Sequence, residues 1–167
     1  MKTTQLTTAP VHTSHGIFLA HYSGHGLAGL DFPTSRKSGR AANAPLPPLI
    51  RKWHALTTRA VKAVLAGRTA AELPPMDLSG GTEFQRRVWE ELTWTPCGET
   101  RSYAEIAKAI RKPKAVRAVG GACGANPVPL LVPCHRVLAA NRKIGGFSGG
   151  LDWKRKLLER EGVTAAG

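Results

Sequence analysis

The sequence predicts a mixed α/β protein whose second half is mostly helical. In the first half, short apolar runs around glycines are typical of paired strands. In the second half, two capping boxes each precede apolar residues spaced three and four apart, as in amphipathic helices. The chain has 167 residues, which is enough for one domain or two small ones. We expect an α/β scaffold domain over residues 1–80 and a second domain over residues 81–167.

The first half is expected to contain a β-hairpin followed by a long helix. Residues 16–22 and 27–32 are apolar runs separated by Ser-Gly-His-Gly, a composition typical of a hairpin turn. From Pro48 to Gly67 the apolar spacing predicts an amphipathic helix. Residues 32–71 contain eight Lys or Arg and no acid, which predicts a basic loop leading into that helix or, alternatively, a solvated basic surface.

The second half begins with two predicted helices. The capping box that starts at Thr82 predicts a helix over residues 83–92. A second capping box, starting at Ser102, predicts another helix. That helix should end at residues 111–112, because the residue before Pro113 is disfavoured in helical geometry.

A further helix is predicted from Pro113 to Cys123, and a three-residue turn would then complete a helix-turn-helix. Gly120 and Gly121 lie inside it, although each interior glycine costs about 1 kcal/mol relative to alanine. A helix surface made of small side chains, which we call the low surface, would explain these glycines, because the minor groove of DNA is only about 6 Å wide and excludes a bulky helix. Close packing against a neighbouring helix is the alternative. The low surface is expected to consist of Ala115, Ala118, Gly121 and Ala122.

The charge of the chain favours a nucleic-acid partner. Lys and Arg total 24 against 11 acids, a net charge of +13, which suits a polyanion. Six bases and one acid lie between Arg101 and Arg117, and we expect Arg101, Lys114 and Arg117 to contact DNA. The sequence has no apolar run of membrane-spanning length, and its first residues lack the apolar centre of a secretory signal. A cytoplasmic protein with no membrane partner is therefore expected.

The cysteines indicate reactivity rather than a disulfide framework or a zinc ribbon. Cys97, Cys123 and Cys134 are an odd number with no Cys-x-x-Cys pair. Cys134 lies in an apolar, proline-rich segment directly before His135 and Arg136. A buried free cysteine is usually an inert small hydrophobe, but a neighbouring base or positive charge can lower its pKa from about 8.5.

A carboxylate near the C-terminus could complete a relay with the histidine. Trp153, Leu157 and Leu158 mark an amphipathic helix whose inward face extends to Glu161. An inward carboxylate needs a partner, and His135 is the natural one; the alternative is a Glu161 at the end of the helix in solvent. A carboxylate that holds one ring nitrogen leaves the other nitrogen to take the thiol proton.

The segment Pro-Cys-His-Arg-Val at residues 133–137 resembles the O6-alkylguanine-DNA alkyltransferases, together with the preceding Asn126-Pro127 and the following Gly-Gly-Phe-Ser-Gly-Gly at residues 145–150. The resemblance covers about residues 82–162. It implies a ribonuclease-H-like first domain and a winged-helix-like second domain. It also implies suicidal, single-turnover repair of double-stranded DNA, in which the alkyl group of O6-alkylguanine, and in some relatives of O4-alkylthymine, moves to Cys134.

The same resemblance implies roles for individual residues. Cys134 would be the acceptor, His135 the base acting through a bridging water, and Glu161 the group that orients it. Tyr103 would donate a hydrogen bond to the leaving guanine. Arg117 would fill the gap in the base stack that the flipped nucleotide leaves.

Further implied residues surround the substrate. Asn126 would tie the helix-turn-helix to the acceptor segment, and backbone donors near Val137 and Ser148 would face the guanine edge. Phe147 stands where many relatives have tyrosine, which leaves the substrate range open. The expected protein is a monomer, with cooperative binding to DNA left open, and it needs no cofactor or metal. Four histidines are interpreted as surface groups: His12, His15, His21 and His25.

Three other functions stay open at this point. An alkyltransferase-like sensor would flip lesions without chemistry, although such proteins replace the acceptor cysteine. A sequence-reading regulator would need large polar side chains on the second helix of the helix-turn-helix. A cysteine hydrolase would need an acyl-substrate pocket and turnover.

Overall fold

Three antiparallel strands form the sheet of the first half. The computed structural model describes residues 5–33 and 44–166. The strands are β1 (Thr7–Thr13), β2 (Gly16–Tyr22) and β3 (Leu27–Asp31), adjacent in that order. The hairpin predicted from the apolar runs is β2 and β3, and it is confirmed.

The strand β1 is an addition to the predicted elements. It pairs with β2 along its whole length. Its buried positions are Ala9 and Val11. Two apolar residues among polar ones are too short an alternation to indicate a strand from the sequence. Pro10 is tolerated because β1 lies at the edge of the sheet.

Five α-helices follow the sheet within the described residues. The first begins at Pro48 as predicted but ends at Leu65, two residues before Gly67, and the second has the predicted bounds. Both predicted capping boxes are present: the Thr82 side chain accepts the N–H of Gln85, and the Ser102 side chain accepts the N–H of Glu105. The helices are α1 (Pro48–Leu65), α2 (Glu83–Leu92), α3 (Tyr103–Ala109), α4 (Val116–Gly124) and α5 (Leu151–Arg160).

The turn between α3 and α4 is longer than predicted. It consists of the six residues 110–115 instead of three, so α4 begins at Val116 and not at Pro113. Arg111 has a φ of 61°, a left-handed conformation that ends α3 before the predicted position. The two helices pack against each other, and the helix-turn-helix is therefore present with a wider turn.

A short parallel strand pair positions α3 beside Cys134. The strand β4 (Arg101–Ser102) pairs with β5 (Val137–Leu138). The strand β4 leads directly into α3, and β5 directly follows a 3-10 turn, Cys134–Arg136. Two-residue strands carry no periodicity in the sequence, which is why they were not predicted.

One hydrophobic core joins the two halves of the chain. It includes Phe18 of the sheet, Trp53 of α1 and Trp89 of α2. The ring of Phe32 at the end of the sheet lies 5.6 Å from the ring of Phe147, centroid to centroid. The sheet therefore supports the loop between β5 and α5, which carries Phe147.

Some expectations about the first half have no structural counterpart. Residues 34–43 of the basic segment lie outside the described residues, and the boundary between residues 80 and 81 stays a prediction. Among residues 5–33 and 44–166, no helix is long and apolar enough to cross a membrane.

We expect Gly67→Ala to destabilise the fold. Gly67 has a φ of 73°, and a Cβ atom there would overlap the carbonyl of Arg160 at the end of α5. Left-handed strain and backbone displacement should together lower the free energy of unfolding by about 2–4 kcal/mol, measured by urea denaturation. Gly80→Ala is the control, since a Cβ there meets nothing within 4 Å. Equal stability of the two variants would contradict this packing.

Candidate active site

Cys134 lines a small pocket between the helix-turn-helix and the loop that precedes α5. The residue is the first of its 3-10 turn and is 4% exposed. The pocket has a volume of about 170 Å³, and a cavity of about 150 Å³ holds one benzene molecule. There is room for one flat aromatic group beside the thiol. The lining residues are Tyr103, Gly120, Cys123, Gly124, Cys134, Gly146, Phe147 and Ser148.

A buried carboxylate holds the predicted histidine and also an arginine. Nε2 of His135 lies 2.9 Å from Oε1 of Glu161, so the contact expected from the sequence is present. Arg136 donates to both oxygens of Glu161, with Nε at 3.0 Å from Oε2 and Nη2 at 2.8 Å from Oε1. Its Nη1 donates to the Thr95 carbonyl at 2.9 Å. The sequence analysis missed this role of Arg136, although a buried carboxylate usually needs a cation.

These contacts and burial together fix the charges of Glu161 and His135. Burial alone would raise the pKa of Glu161, but hydrogen bonds from His135 and Arg136 outweigh it and lower the pKa to about 2. Burial, together with the charges of Arg136 and Lys154, lowers the pKa of His135 more than the contact with Glu161 raises it. The imidazole is therefore neutral, and the nitrogen that faces the carboxylate carries the proton.

The other ring nitrogen is free to accept a proton. Nδ1 of His135 is buried and has no hydrogen-bond partner among the described residues. Burial raises the pKa of Cys134, against the hydrogen bond from Asn126 and the charge of Lys154. The resting thiol is thus protonated, and an acceptor on the adjacent residue is the group that can activate it.

Tyr103 contributes a hydroxyl to the same pocket. It is the first residue of α3, directly after the capping residue Ser102. Burial is the main cause that raises its pKa. The phenol therefore stays protonated at neutral pH and can donate a hydrogen bond into the pocket.

Asn126 supports the acceptor segment without lining the pocket. Its side chain donates to the Val132 carbonyl at 2.8 Å and accepts the Val128 N–H at 3.0 Å. It follows α4 by two residues, so it links that helix to the loop that leads to Cys134. This is the arrangement expected from the sequence.

The backbone N–H of Val137 itself is already hydrogen-bonded within the protein. The Val137 N–H donates to the Cys134 carbonyl and closes the 3-10 turn. The side chain is fully buried and is not part of the pocket lining. Ser148 and Phe147, by contrast, both lie at the pocket.

The exposed side of α4 is low and basic. Lys114, Arg117, Ala118 and Gly121 are exposed, and Ala115 is half-buried. A Cβ added at Gly120 or Gly121 would meet nothing within 4 Å. Close helix packing therefore does not explain these glycines: the low surface explains Gly121, and Gly120 lines the pocket beside Cys134.

Two residues assigned to this surface lie elsewhere. Ala122 is 2% exposed, and its carbonyl accepts the indole N–H of Trp89 at 2.8 Å. It therefore belongs to the core between α2 and α4. Arg101 lies on β4 and forms an ion pair with Glu91 at 2.8 Å, so an acid already balances its charge.

The N-terminal histidines make protein contacts. His21 lies 2.8 Å from Asp31 and 2.8 Å from the Thr8 hydroxyl. His15 lies 2.7 Å from the Arg160 guanidinium. Among the described residues, no group of three or more His, Cys, Asp or Glu side chains is arranged to hold a metal.

Comparison with known proteins gives a consistent result for the second half. A family model described as 6-O-methylguanine DNA methyltransferase, DNA binding domain, matches residues 83–163. The methylated-DNA–protein-cysteine methyltransferase of Methanosarcina mazei is 58% identical over 81 residues, which are 48% of this chain and 51% of that protein. The chain thus spans about half the length of this relative.

Solved structures match nearly the whole chain. The structure of the Mycobacterium tuberculosis O6-methylguanine methyltransferase is 35% identical, with a TM-score of 0.73, and the match covers 98% of this chain and 97% of that one. The structure of Mycobacterium tuberculosis OGT in complex with DNA is 37% identical, with a TM-score of 0.76 and coverage of 91% and 90%. The chain belongs to the methylated-DNA–protein-cysteine methyltransferase family.

In this member of the methyltransferase family, a buried lysine closes one side of the active site. Lys154 on α5 is 0% exposed. Its Nζ donates to the Val137 carbonyl at 2.7 Å and to the Gly146 carbonyl at 3.1 Å. It therefore ties the segment after Cys134 to the loop that lines the pocket. Its spacing from Leu157, Leu158 and Glu161 on the inward face of α5 could have indicated a buried position.

Burial lowers the pKa of Lys154 to about 8, while the two nearby thiols Cys134 and Cys123 oppose the shift. The unfolded chain keeps that proton up to about pH 10.4. Between these values the unfolded state binds more protons than the native state, so stability attributable to Lys154 rises with pH. Below pH 8 both states are protonated, and this gain is absent.

We expect Lys154→Met to lose about 1–3 kcal/mol of unfolding free energy at pH 7, because two buried carbonyls lose their donor. The wild type should gain roughly 2 kcal/mol relative to the variant between pH 7 and pH 9.5, from the proton linkage of Lys154. Urea unfolding at the two pH values measures both effects. The same pH dependence in both proteins would show that Lys154 is not buried as a cation.

Proposed function

We propose that this protein repairs DNA by direct reversal, and that it transfers the alkyl group of O6-alkylguanine in double-stranded DNA to Cys134. The observation that carries the proposal is a thiol in a pocket with room for one flat aromatic group, next to a neutral imidazole oriented by a buried carboxylate. Transfer of the same kind from O4-alkylthymine is part of the proposal. Membership of the methyltransferase family supports repair of O6-alkylguanine.

Transfer begins with activation of the thiol. Nδ1 of His135 takes the Cys134 proton through a water molecule, and Glu161 stabilises the imidazolium that forms. The thiolate attacks the alkyl carbon, a sulfur–carbon bond forms, and the bond between that carbon and O6 breaks. The Tyr103 hydroxyl donates a hydrogen bond to the departing guanine, which takes up one proton and leaves as a neutral base. The imidazolium of His135 gives up its proton through water, so the net movement is one proton from Cys134 to guanine.

The product explains a single turnover. A thioether is stable, and the described pocket contains no second base or nucleophile that could remove the alkyl group from Cys134. Cys123 lines the pocket, but burial raises its pKa to about 12. One protein molecule therefore repairs one lesion.

Access to the lesion requires the base to leave the duplex. Extrusion costs a few kcal/mol, which phosphate contacts from Lys114 and its neighbours can offset. The exposed Ala118 and Gly121 let α4 approach the narrow minor groove. Arg117 on the same face can stack in the vacated position, since guanidinium is planar and hydrogen-bonds at its edges. Apart from Arg117, the exposed residues of α4 have side chains too short to reach base edges, which disfavours a regulator that reads sequence.

Alkyl transfer is tested by the mass of the intact protein after incubation with a duplex containing O6-methylguanine. We expect one added methyl group, located on the Cys134 peptide. Cys134→Ser should abolish transfer and keep DNA affinity, whereas Cys97→Ser and Cys123→Ser, which remove the other two thiols, should still accept the methyl group. Methylation of the Cys134→Ser protein, or repair of many lesions per molecule, would contradict the proposal.

The low surface of α4 is tested by Gly121→Leu. The new side chain meets no protein atom within 4 Å of its Cβ, so stability should stay equal or rise by up to about 1 kcal/mol as the interior glycine is replaced. DNA affinity should fall at least about tenfold, a loss of 1.4 kcal/mol, because the minor groove excludes the larger side chain. Fluorescence anisotropy with an undamaged duplex measures it, with Gly80→Leu as control. Unchanged affinity would remove α4 from the DNA interface.

A further inference from the structure

The helix α1 carries a basic face that the proposed repair reaction does not use. Four of its residues are exposed bases. At about 100° per residue, these four side chains fall within an arc of about 100° around the helix axis. A small exposed residue, Ala55, lies between them. We call this arc the basic face of α1, and its bases are Arg51, Lys52, Arg59 and Lys62.

No acid balances this face locally. Residues 44–71 contain no Asp or Glu. None of the four bases forms an ion pair with a described carboxylate. Arg51 donates to the Leu46 carbonyl at 3.2 Å, which leaves its charge uncompensated. The face is therefore a row of four unpaired positive charges within the described part of the chain.

The opposite side of α1 fixes the row in place. Trp53, Thr57, Val61 and Val64 are buried. The helix packs against β1, β2 and α5, whereas α4 packs against α2 and α3. The basic face of α1 and the low surface of α4 thus belong to helices with separate packing partners.

The row is long enough to reach several phosphates of duplex DNA. Arg51 and Lys62 are eleven positions apart, which is about 16 Å at 1.5 Å per residue. Duplex DNA carries one phosphate charge per about 1.7 Å of its axis. Four cations on a rigid helix can therefore contact several phosphates without first ordering a loop. The basic face lacks the large apolar side chains with which an amphipathic helix enters a membrane, so DNA is favoured over an anionic bilayer.

We propose that the basic face of α1 is a second DNA-binding surface, independent of sequence, which holds one duplex segment while α4 contacts another. The protein would then bridge two duplexes. It could also move from one segment to the next during a search, because one surface stays bound while the other releases. This proposal concerns DNA binding alone and does not depend on alkyl transfer to Cys134.

Bridging is measured with two short undamaged duplexes, one labelled with a donor dye and one with an acceptor, mixed with the full chain at low salt. We expect energy transfer between them that disappears as salt is added. The triple variant Lys52→Gln, Arg59→Gln, Lys62→Gln should lose bridging. A plot of the logarithm of the bridging constant against the logarithm of salt concentration should become less steep by about 3 units, because three phosphate contacts are lost.

The matched control removes three exposed positive charges from α2 and α5, with Arg86→Gln, Arg155→Gln and Lys156→Gln. It should retain bridging, and equal urea midpoints should show that both triple variants are folded. Absence of bridging by the wild type, or equal loss in both variants, would overturn the proposal. Tighter binding of the wild type to phosphatidylcholine vesicles containing phosphatidylserine than to duplex, abolished in the α1 variant, would overturn it in favour of a membrane.

Alkyl transfer to an O6-methylguanine duplex is followed in the same samples by protein mass. The α1 variant is expected to transfer the methyl group as the wild type does. Bridging without transfer would contradict the proposed repair function and leave the second surface standing. Transfer without bridging would contradict the second surface alone.

Discussion

The buried Glu161 carboxylate is the constraint on which the rest of the active site depends. It accepts hydrogen bonds from His135 and Arg136 inside the core, where an unpaired charge would be strongly unfavourable. Its negative charge fixes which nitrogen of His135 carries the proton. The same contact holds the turn that presents Cys134, since Cys134, His135 and Arg136 are consecutive residues.

Small residues on α4 serve two surfaces at once. Gly120 and Gly124 line the pocket beside Cys134, and Ala118 and Gly121 form the exposed face. A helix with bulkier side chains at these positions would be more stable by itself, but it would fill the pocket and stand further from a groove. Access to the acceptor and approach to DNA thus depend on the same low helix, and its local instability is compensated by packing on α2 and α3.

The predictable parts of the structure are those that local sequence controls. The helices α1 and α2 follow from apolar spacing and a capping box, and the contact between His135 and Glu161 follows from the inward face of α5. The role of Lys154 and the ion pair of Arg101 depend on distant backbone or side-chain partners, so local pattern could not indicate them. The burial of Ala122 depends on Trp89 in another helix. The wide turn before Val116 depends on the left-handed Arg111, a conformation that has no sequence signature at a non-glycine residue.

The central claim is that burial keeps His135 neutral, while Glu161 holds the proton on Nε2 and leaves Nδ1 free to accept the thiol proton. Nitrogen-15 NMR of the labelled histidine ring across pH 5 to 8 tests this most directly. The account predicts one protonated nitrogen, Nε2, throughout this range, because burial lowers the pKa of His135. A doubly protonated ring at neutral pH, or a proton on Nδ1 instead of Nε2, would contradict it.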